Sequence, residues 1–177
     1  MAMAAGKLAS RATGAYSRVR TQFKMPIGKF EGVEEPLARI GGSTYLMDAT
    51  RRMTMVALDS GEKPSVISAI CKYHMTERMR AILNDAMDVH GGKGICMGPN
   101  NYLGRAYQTV PIAITVEGAN ILTRSLITFA QGALRSHPFL YKEVQAAQDT
   151  NPERGLVAFD KAFGGHVAFS LSNAFGA

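Results

Sequence analysis

Glu117 is the residue whose surroundings point most directly to chemistry. It stands in Ile112-Ala113-Ile114-Thr115-Val116-Glu117-Gly118-Ala119-Asn120 and is the only acid between Asp88 and Glu143. It follows an apolar, β-branched run and precedes a helical pattern. One reading is an acid placed near a helix N-terminus, worth ~0.3–1 kcal/mol. The sharper reading is a carboxylate in an apolar pocket, where desolvation makes it a stronger, general base. The helix dipole opposes that effect, so burial must outweigh it.

Two other constellations are candidates. Gly91-Gly92-Lys93-Gly94 closes a helical pattern. Glycine-rich turns let backbone N–H groups approach phosphate, but the dinucleotide fingerprints need a strand before the glycines and a helix after them, and neither is predicted. Arg18, Arg20 and Lys24 surround Phe23 ahead of Pro26. Guanidinium groups beside an aromatic ring suit a pyrophosphate with a stacked base, and they equally suit a solvated surface cluster. The four histidines match no metalloprotease helix pattern, and Cys71 and Cys96 match no zinc spacing, so no metal site is predicted.

The elements that must position these residues read as helices. In 177 residues, 46% are hydrophobic and 19% charged, with a net charge of +6. That composition excludes a disordered chain, and the apolar runs fall short of the ~20 residues that span a bilayer. Neither a transmembrane segment nor a secretory signal is predicted, and two cysteines fit a reducing, cytoplasmic setting. The positive charge is scattered and carries no recognition motif, so no nucleic-acid partner is expected.

A first helix is expected from Met1 to about Phe23, followed by a turn. A long helix runs from Val33 to about Ser60-Gly61, with a slip in its apolar pattern at Gly41-Gly42. Another starts after Pro64 and ends at His90-Gly91-Gly92, with His90 as a cation-capable last turn. Gly91 to Val116 reads as an irregular stretch holding Pro99 and Pro111. A further helix is placed from Glu117-Gly118 to about Arg135 on Leu122, Leu126, Phe129 and Ala133. A last stripe, Phe159, Phe163, Val167, Leu171 and Phe175, still runs as the chain ends at Ala177. The fold class expected is all-α, an antiparallel helical bundle without sheet beyond an isolated bridge, divided into 1–148 and an extension 149–177. Both ends read as cut.

Ala15-Tyr16-Ser17-Arg18-Val19-Arg20-Thr21-Gln22-Phe23-Lys24-Met25-Pro26-Ile27-Gly28-Lys29-Phe30, Asp88-Val89-His90-Gly91-Gly92-Lys93-Gly94 and Val116-Glu117-Gly118 together resemble the C-terminal helical domain of acyl-CoA dehydrogenases. The stretch from Asp85 to Asn101 is most similar to the large bacterial fatty-acyl-CoA dehydrogenases that begin β-oxidation, and the tail from Pro152 to the start of their C-terminal extension. The resemblance implies that Glu117 removes the α-proton of an acyl thioester lying beside Gly118, while FAD takes the β-hydrogen. It implies that Arg20, Gln22 and Phe23 reach the FAD of a neighbouring subunit, and that Gly91 and Gly92 touch the same dinucleotide. Asp88 stands beside it, where many members carry a glutamine. Glu31, Ala119 and Ile121 also depart from the family pattern. The flavin belongs mainly to a β-domain for which 177 residues leave no room, so this chain alone is not expected to retain FAD. A fatty acyl-CoA substrate, electron-transfer flavoprotein as acceptor and a homo-oligomer follow from the same resemblance. The alternative reading is a non-catalytic helical module for self-assembly or partner binding.

Overall fold

The computed structural model describes residues 1–176, with the backbone alone at Ser65, Thr128 and Phe129. The side chain of Phe129 and all of Ala177 therefore lie outside the described residues. The chain divides into two compact units, Met1–Thr123 and Arg124–Ala177, and the matches to its sequence patterns are helical in both.

In the first unit, α1 (Ala2–Val19), α2 (Glu31–Asp59) and α3 (Ser65–His90) pack mutually, and α5 (Gly104–Thr115) lies on α3. Met3 and Ala9 from α1, Ile40 and Met47 from α2, and Met79, Ile82, Leu83 and Ala86 from α3 share one core with Leu103 and Val110. At ~1.5 Å per residue α2 and α3 are roughly 40 Å long. Charged pairs tie the crossings: Lys7 to Asp48 at 3.2 Å, and Arg39 to Asp85 at 2.7 Å.

The long helix expected from Val33 is α2, which runs unbroken through Pro36 and Gly41-Gly42 because Ile40 and Met47, each 1% exposed, anchor the turns around them. Other expectations need correction. The stretch from Gly91 is irregular only over residues 96–103: it forms the single turn α4 (Gly92–Ile95) before them and α5 after them, which continues through Pro111 because Val110 is locked into the core. Packing overrides local breaker chemistry in both places. The first helix stops at Val19, and a small antiparallel hairpin follows, pairing β1 (Thr21–Gln22) with β2 (Met25–Pro26). Finally, α6 (Asn120–Leu126) begins three residues later than expected, since Glu117 and Gly118 both have positive φ.

In the second unit a π-helical turn (Ile127–Ala133) and the short α7 (Leu134–Ser136) precede α8 (Leu140–Ala147) and α9 (Pro152–Phe175). Asn151 caps α9 by accepting from the N–H groups of Glu153 and Arg154, and Pro152 fills the first helical position. Helices α8 and α9 pack closely because a side chain at Gly155 would lie 2.7 Å from the Ala146 carbonyl oxygen. The packed side of α9 is Gly155 and Ala162, whereas Phe163, Val167, Leu171 and Phe175 of the expected stripe are exposed. The 33-residue stretch Gly104–Ser136 is long and apolar enough to cross a membrane by length and composition. Its regular structure is interrupted between α5 and α6.

Candidate active site

The loop from Val116 to Ala119 joins the C-terminus of α5 to the N-terminus of α6. Glu117 has φ of 55° and Gly118 φ of 88°. The left-handed region is free to glycine but costs other residues about 1–2 kcal/mol, and such conformations persist only where neighbours enforce them. Here the enforcing groups are on α3. Lys72 Nζ donates to the carbonyl oxygens of Gly118 at 2.6 Å and Ile114 at 3.2 Å, and to Asn120 Oδ1 at 2.7 Å. An ammonium has three protons, and these three acceptors use all of them. Asn120 is 3% exposed, and its Nδ2 donates to Thr76 Oγ1 at 2.9 Å and Glu77 Oε1 at 2.8 Å. Thr123 adds a weaker bond from Oγ1 to the Gly118 carbonyl at 3.3 Å.

Glu117 itself is exposed. The apolar pocket anticipated around it is not built by the described residues of this chain, and it does not lie in the first turn of α6. Its acid is presented outward on a pinned, left-handed turn. Local spacing identified Glu117 and Gly118 but missed Lys72, Thr76, Glu77 and Asn120. Only the buried polar position of Asn120 just inside a helix could have signalled this network, since Lys72 lies 46 residues from Gly118.

A second cluster lies at the other end of α3. His90 is 4% exposed. Its Nδ1 donates to the Ala86 carbonyl at 2.7 Å, so Nε2 accepts from the Tyr102 hydroxyl at 2.5 Å. Tyr16, in the last turn of α1, stacks on the imidazole at 4.2 Å between ring centroids. Burial pushes the His90 pKa below 6.5, with the charge of Lys93 acting in the same direction. Burial thus favours the neutral form of His90, the residue read from the sequence as a cation-capable last turn. Gly91 takes φ of 54° with ψ of −133°, a conformation confined almost to glycine, and turns the chain into α4.

Because Tyr16 and His90 are in contact, the hairpin after α1 and the glycine turn after α3 leave the bundle at the same end. The two central hairpin residues, Phe23 at φ of 47° and Lys24 at 66°, both adopt left-handed backbone. Such a turn matches the strand twist but normally uses Asn and Gly. Phe23 is 90% exposed, its ring meeting that of Phe30 edge to face at 6.2 Å between centroids. Gln22 Nε2 donates to the Thr21 carbonyl at 2.6 Å. The exposed Arg20 side chain has no hydrogen-bond or ion-pair partner among the described residues, while its backbone N–H caps α1 through the Tyr16 carbonyl. Asp88, Gly91 and Gly92 are exposed at this end.

The structure thus brings Arg20, Gln22, Phe23, Asp88, Gly91 and Gly92 to one end of α3 and leaves Glu117 and Gly118 elsewhere. Lys72 and His90 are eighteen residues apart on that helix, about 27 Å along its axis.

The family model "Acyl-CoA dehydrogenase, C-terminal domain" matches residues 1–131. This chain belongs to the acyl-CoA dehydrogenase family. The bacterial type of the family's C-terminal region matches residues 134–177. Among curated acyl-CoA dehydrogenase relatives, the chain is similar to a probable acyl-CoA dehydrogenase of Bacillus subtilis, 24% identical over 166 residues, covering 82% of this chain and 28% of that protein. It is also similar to a 3-(aryl)acrylate reductase of Clostridium sporogenes, 28% identical over 112 residues, covering 63% of this chain and 29% of that protein. The fold matches the acyl-CoA dehydrogenase from Geobacillus kaustophilus with a TM-score of 0.69 at 22% identity, over 73% of this chain and 34% of that one. The chain therefore spans about a third or less of the length of the relatives it matches.

Proposed function

We propose that the chain supplies the catalytic-base domain of an FAD-dependent acyl-CoA dehydrogenase acting on fatty acyl-CoA. The observation that carries this reading is Glu117, an exposed acid held in a left-handed turn by Lys72 and Gly118. Strain enforced by a buried polar network is characteristic of functional positions. The Glu117 carboxylate takes the proton from the carbon next to the thioester carbonyl, and Gly118 lets the backbone approach that group closely. FAD, when bound, supplies the acceptor for the hydrogen that leaves the β-carbon as hydride, so a double bond forms between the two carbons.

Residues of this chain fit an FAD. An unpaired Arg20 guanidinium suits a pyrophosphate, and an exposed Phe23 suits contact with a flat ring. Gln22 offers its amide, and Gly91 and Gly92 offer backbone uncrowded by side chains, for a Cβ at either would meet nothing within 4 Å. Asp88 opposes the phosphates by Coulomb repulsion and is the least favourable member of the set. The separation of about 27 Å along α3 between Lys72 and His90 makes one FAD an awkward bridge within a single chain. It suits a homo-oligomer in which the Arg20 hairpin and the glycine turn serve the cofactor of a neighbouring copy. A cytoplasmic site of action and electron-transfer flavoprotein as the oxidant of the reduced cofactor complete the reading.

A second reading is favoured by Tyr45, Met53 and Val56 of α2, which are exposed at 63% or more: a helical module that self-associates through that face. Flavin bleaching by acyl-CoA in the flavin-loaded enzyme separates the two. Glu117→Gln keeps shape and hydrogen bonding but cannot accept a proton, and general-base loss costs ~10²–10⁴-fold in rate. Bleaching at the wild-type rate would remove Glu117 from the mechanism.

A further inference from the structure

We infer that Lys72 is a positioning residue for Glu117, and this inference rests on the reading of Glu117 as the base. The chain has 20 Lys and Arg residues, yet Lys72 differs from a solvated surface lysine in where its protons go. All three point at groups that fix the base-bearing loop from both sides. The Ile114 carbonyl lies in the last turn of α5, where helical carbonyls lack intrahelical partners and the helix dipole favours a cation. The Gly118 carbonyl belongs to the Gly118–Ala119 peptide, one residue beyond Glu117. Asn120 Oδ1 belongs to the first residue of α6. One ammonium thus joins the end of α5, the left-handed turn and the start of α6 to the N-terminal third of the core helix α3.

Asn120 makes the arrangement selective for lysine. Its amide nitrogen is committed to Thr76 and Glu77, so its oxygen faces Lys72 and needs a donor. Three acceptors converging on one atom suit a compact ammonium better than the flat guanidinium fork. Neutral replacements leave the Asn120 oxygen buried without its strongest donor, and the turn is then free to relax from φ of 55° at Glu117. A carboxylate displaced by about 1 Å loses on the order of 10² in rate while the rest of the substrate surface is untouched.

The test uses two variants, Lys72→Met, which keeps the aliphatic stem without donors, and Lys72→Arg, which keeps charge and donors in a poorer geometry. In the 177-residue chain, backbone amide exchange of Glu117, Gly118 and Ala119 relative to Ile82 in the core is the first readout. Lys72→Met is expected to speed loop exchange by about tenfold or more with Ile82 unchanged, and Lys72→Arg to fall between it and wild type. In the flavin-loaded enzyme, with octanoyl-CoA as the probe, Lys72→Met is expected to lower kcat by about 10–100-fold with KM changed less than about threefold, and Lys72→Arg to recover part of kcat. Loop exchange within about twofold of wild type in Lys72→Met overturns the inference, as does a loss confined to KM. If Lys72→Met fails to fold, Lys72→Arg with wild-type loop exchange and kcat overturns it equally. A loosened loop combined with a fully active Glu117→Gln leaves the pinning by Lys72 standing and defeats the assignment of the base, so the two failures are told apart.

Discussion

Removing the Tyr102 hydroxyl tests the second cluster, on which the Arg20 hairpin and the Gly91-Gly92 turn both depend. The Ala86 carbonyl can only accept, so the proton of neutral His90 resides on Nδ1 and Nε2 needs a donor. Tyr102 supplies it at 2.5 Å, and the two rings meet edge to face at 5.4 Å. Tyr102→Phe preserves that ring contact and leaves a buried acceptor without a partner, a loss of ~1–3 kcal/mol. For a domain of this size that lowers the melting temperature by about 3–10 °C. Thermal and urea unfolding followed by far-ultraviolet circular dichroism read it out, with Tyr107→Phe, at an exposed ring, as the control. The pH dependence is an independent check. Burial holds the folded His90 pKa below its unfolded value of 6.5. The unfolded chain therefore binds the extra proton first, so the stability is fully present above about pH 6.5 and declines as pH falls toward the folded pKa. His90→Phe removes that part of the decline. A Tyr102→Phe protein as stable as wild type, or a wild-type protein whose stability rises from pH 7 to pH 5.5, would refute the account of His90 as a neutral, hydroxyl-bonded core group.

Two further outcomes follow from the same geometry. Asp88→Asn removes a negative charge beside the glycine turn and not beside Glu117, so flavin affinity should hold or rise while the rate of flavin bleaching stays within about twofold of wild type, as titration with FAD and stopped-flow measurement would show. Gly155→Ala places a methyl group 2.7 Å from the Ala146 carbonyl oxygen, and separating α8 from α9 to accommodate it should destabilise the second unit by ~1–3 kcal/mol in denaturant unfolding.

The all-α architecture was legible because its helices carry apolar residues at steps of three and four, and the core at Ile40, Met79, Ile82 and Ala86 is the side of that pattern that found partners, whereas Met47 lies off the step and is buried while Leu46, Met53 and Val56 on it are exposed. What escaped was decided by contacts distant in sequence. The helix through Pro111 is held by Val110 against α3, and Phe163, Val167, Leu171 and Phe175 are exposed while Gly155 makes the close approach and Ala162 is buried. A hairpin turning on Phe23 and Lys24 has none of the Asn-Gly chemistry that would announce two left-handed residues.

The candidate site shows the same division. Glu117-Gly118 stood out by type and by its isolation among apolar neighbours, but what makes an exposed glutamate a directed one is a lysine on another helix and an asparagine whose three side-chain partners all lie on that helix. The arrangement also explains why single-residue reading could not assemble the whole candidate site. One long helix carries the pinning lysine near its start and the neutral histidine at its end, about 27 Å away. On the proposed reading, α3 is a rigid spacer between the turn that bears the proposed base and the end proposed to reach a cofactor. A separation of that length suits two ends that serve different reaction centres, and this is the geometric reason for proposing that a neighbouring copy completes each site.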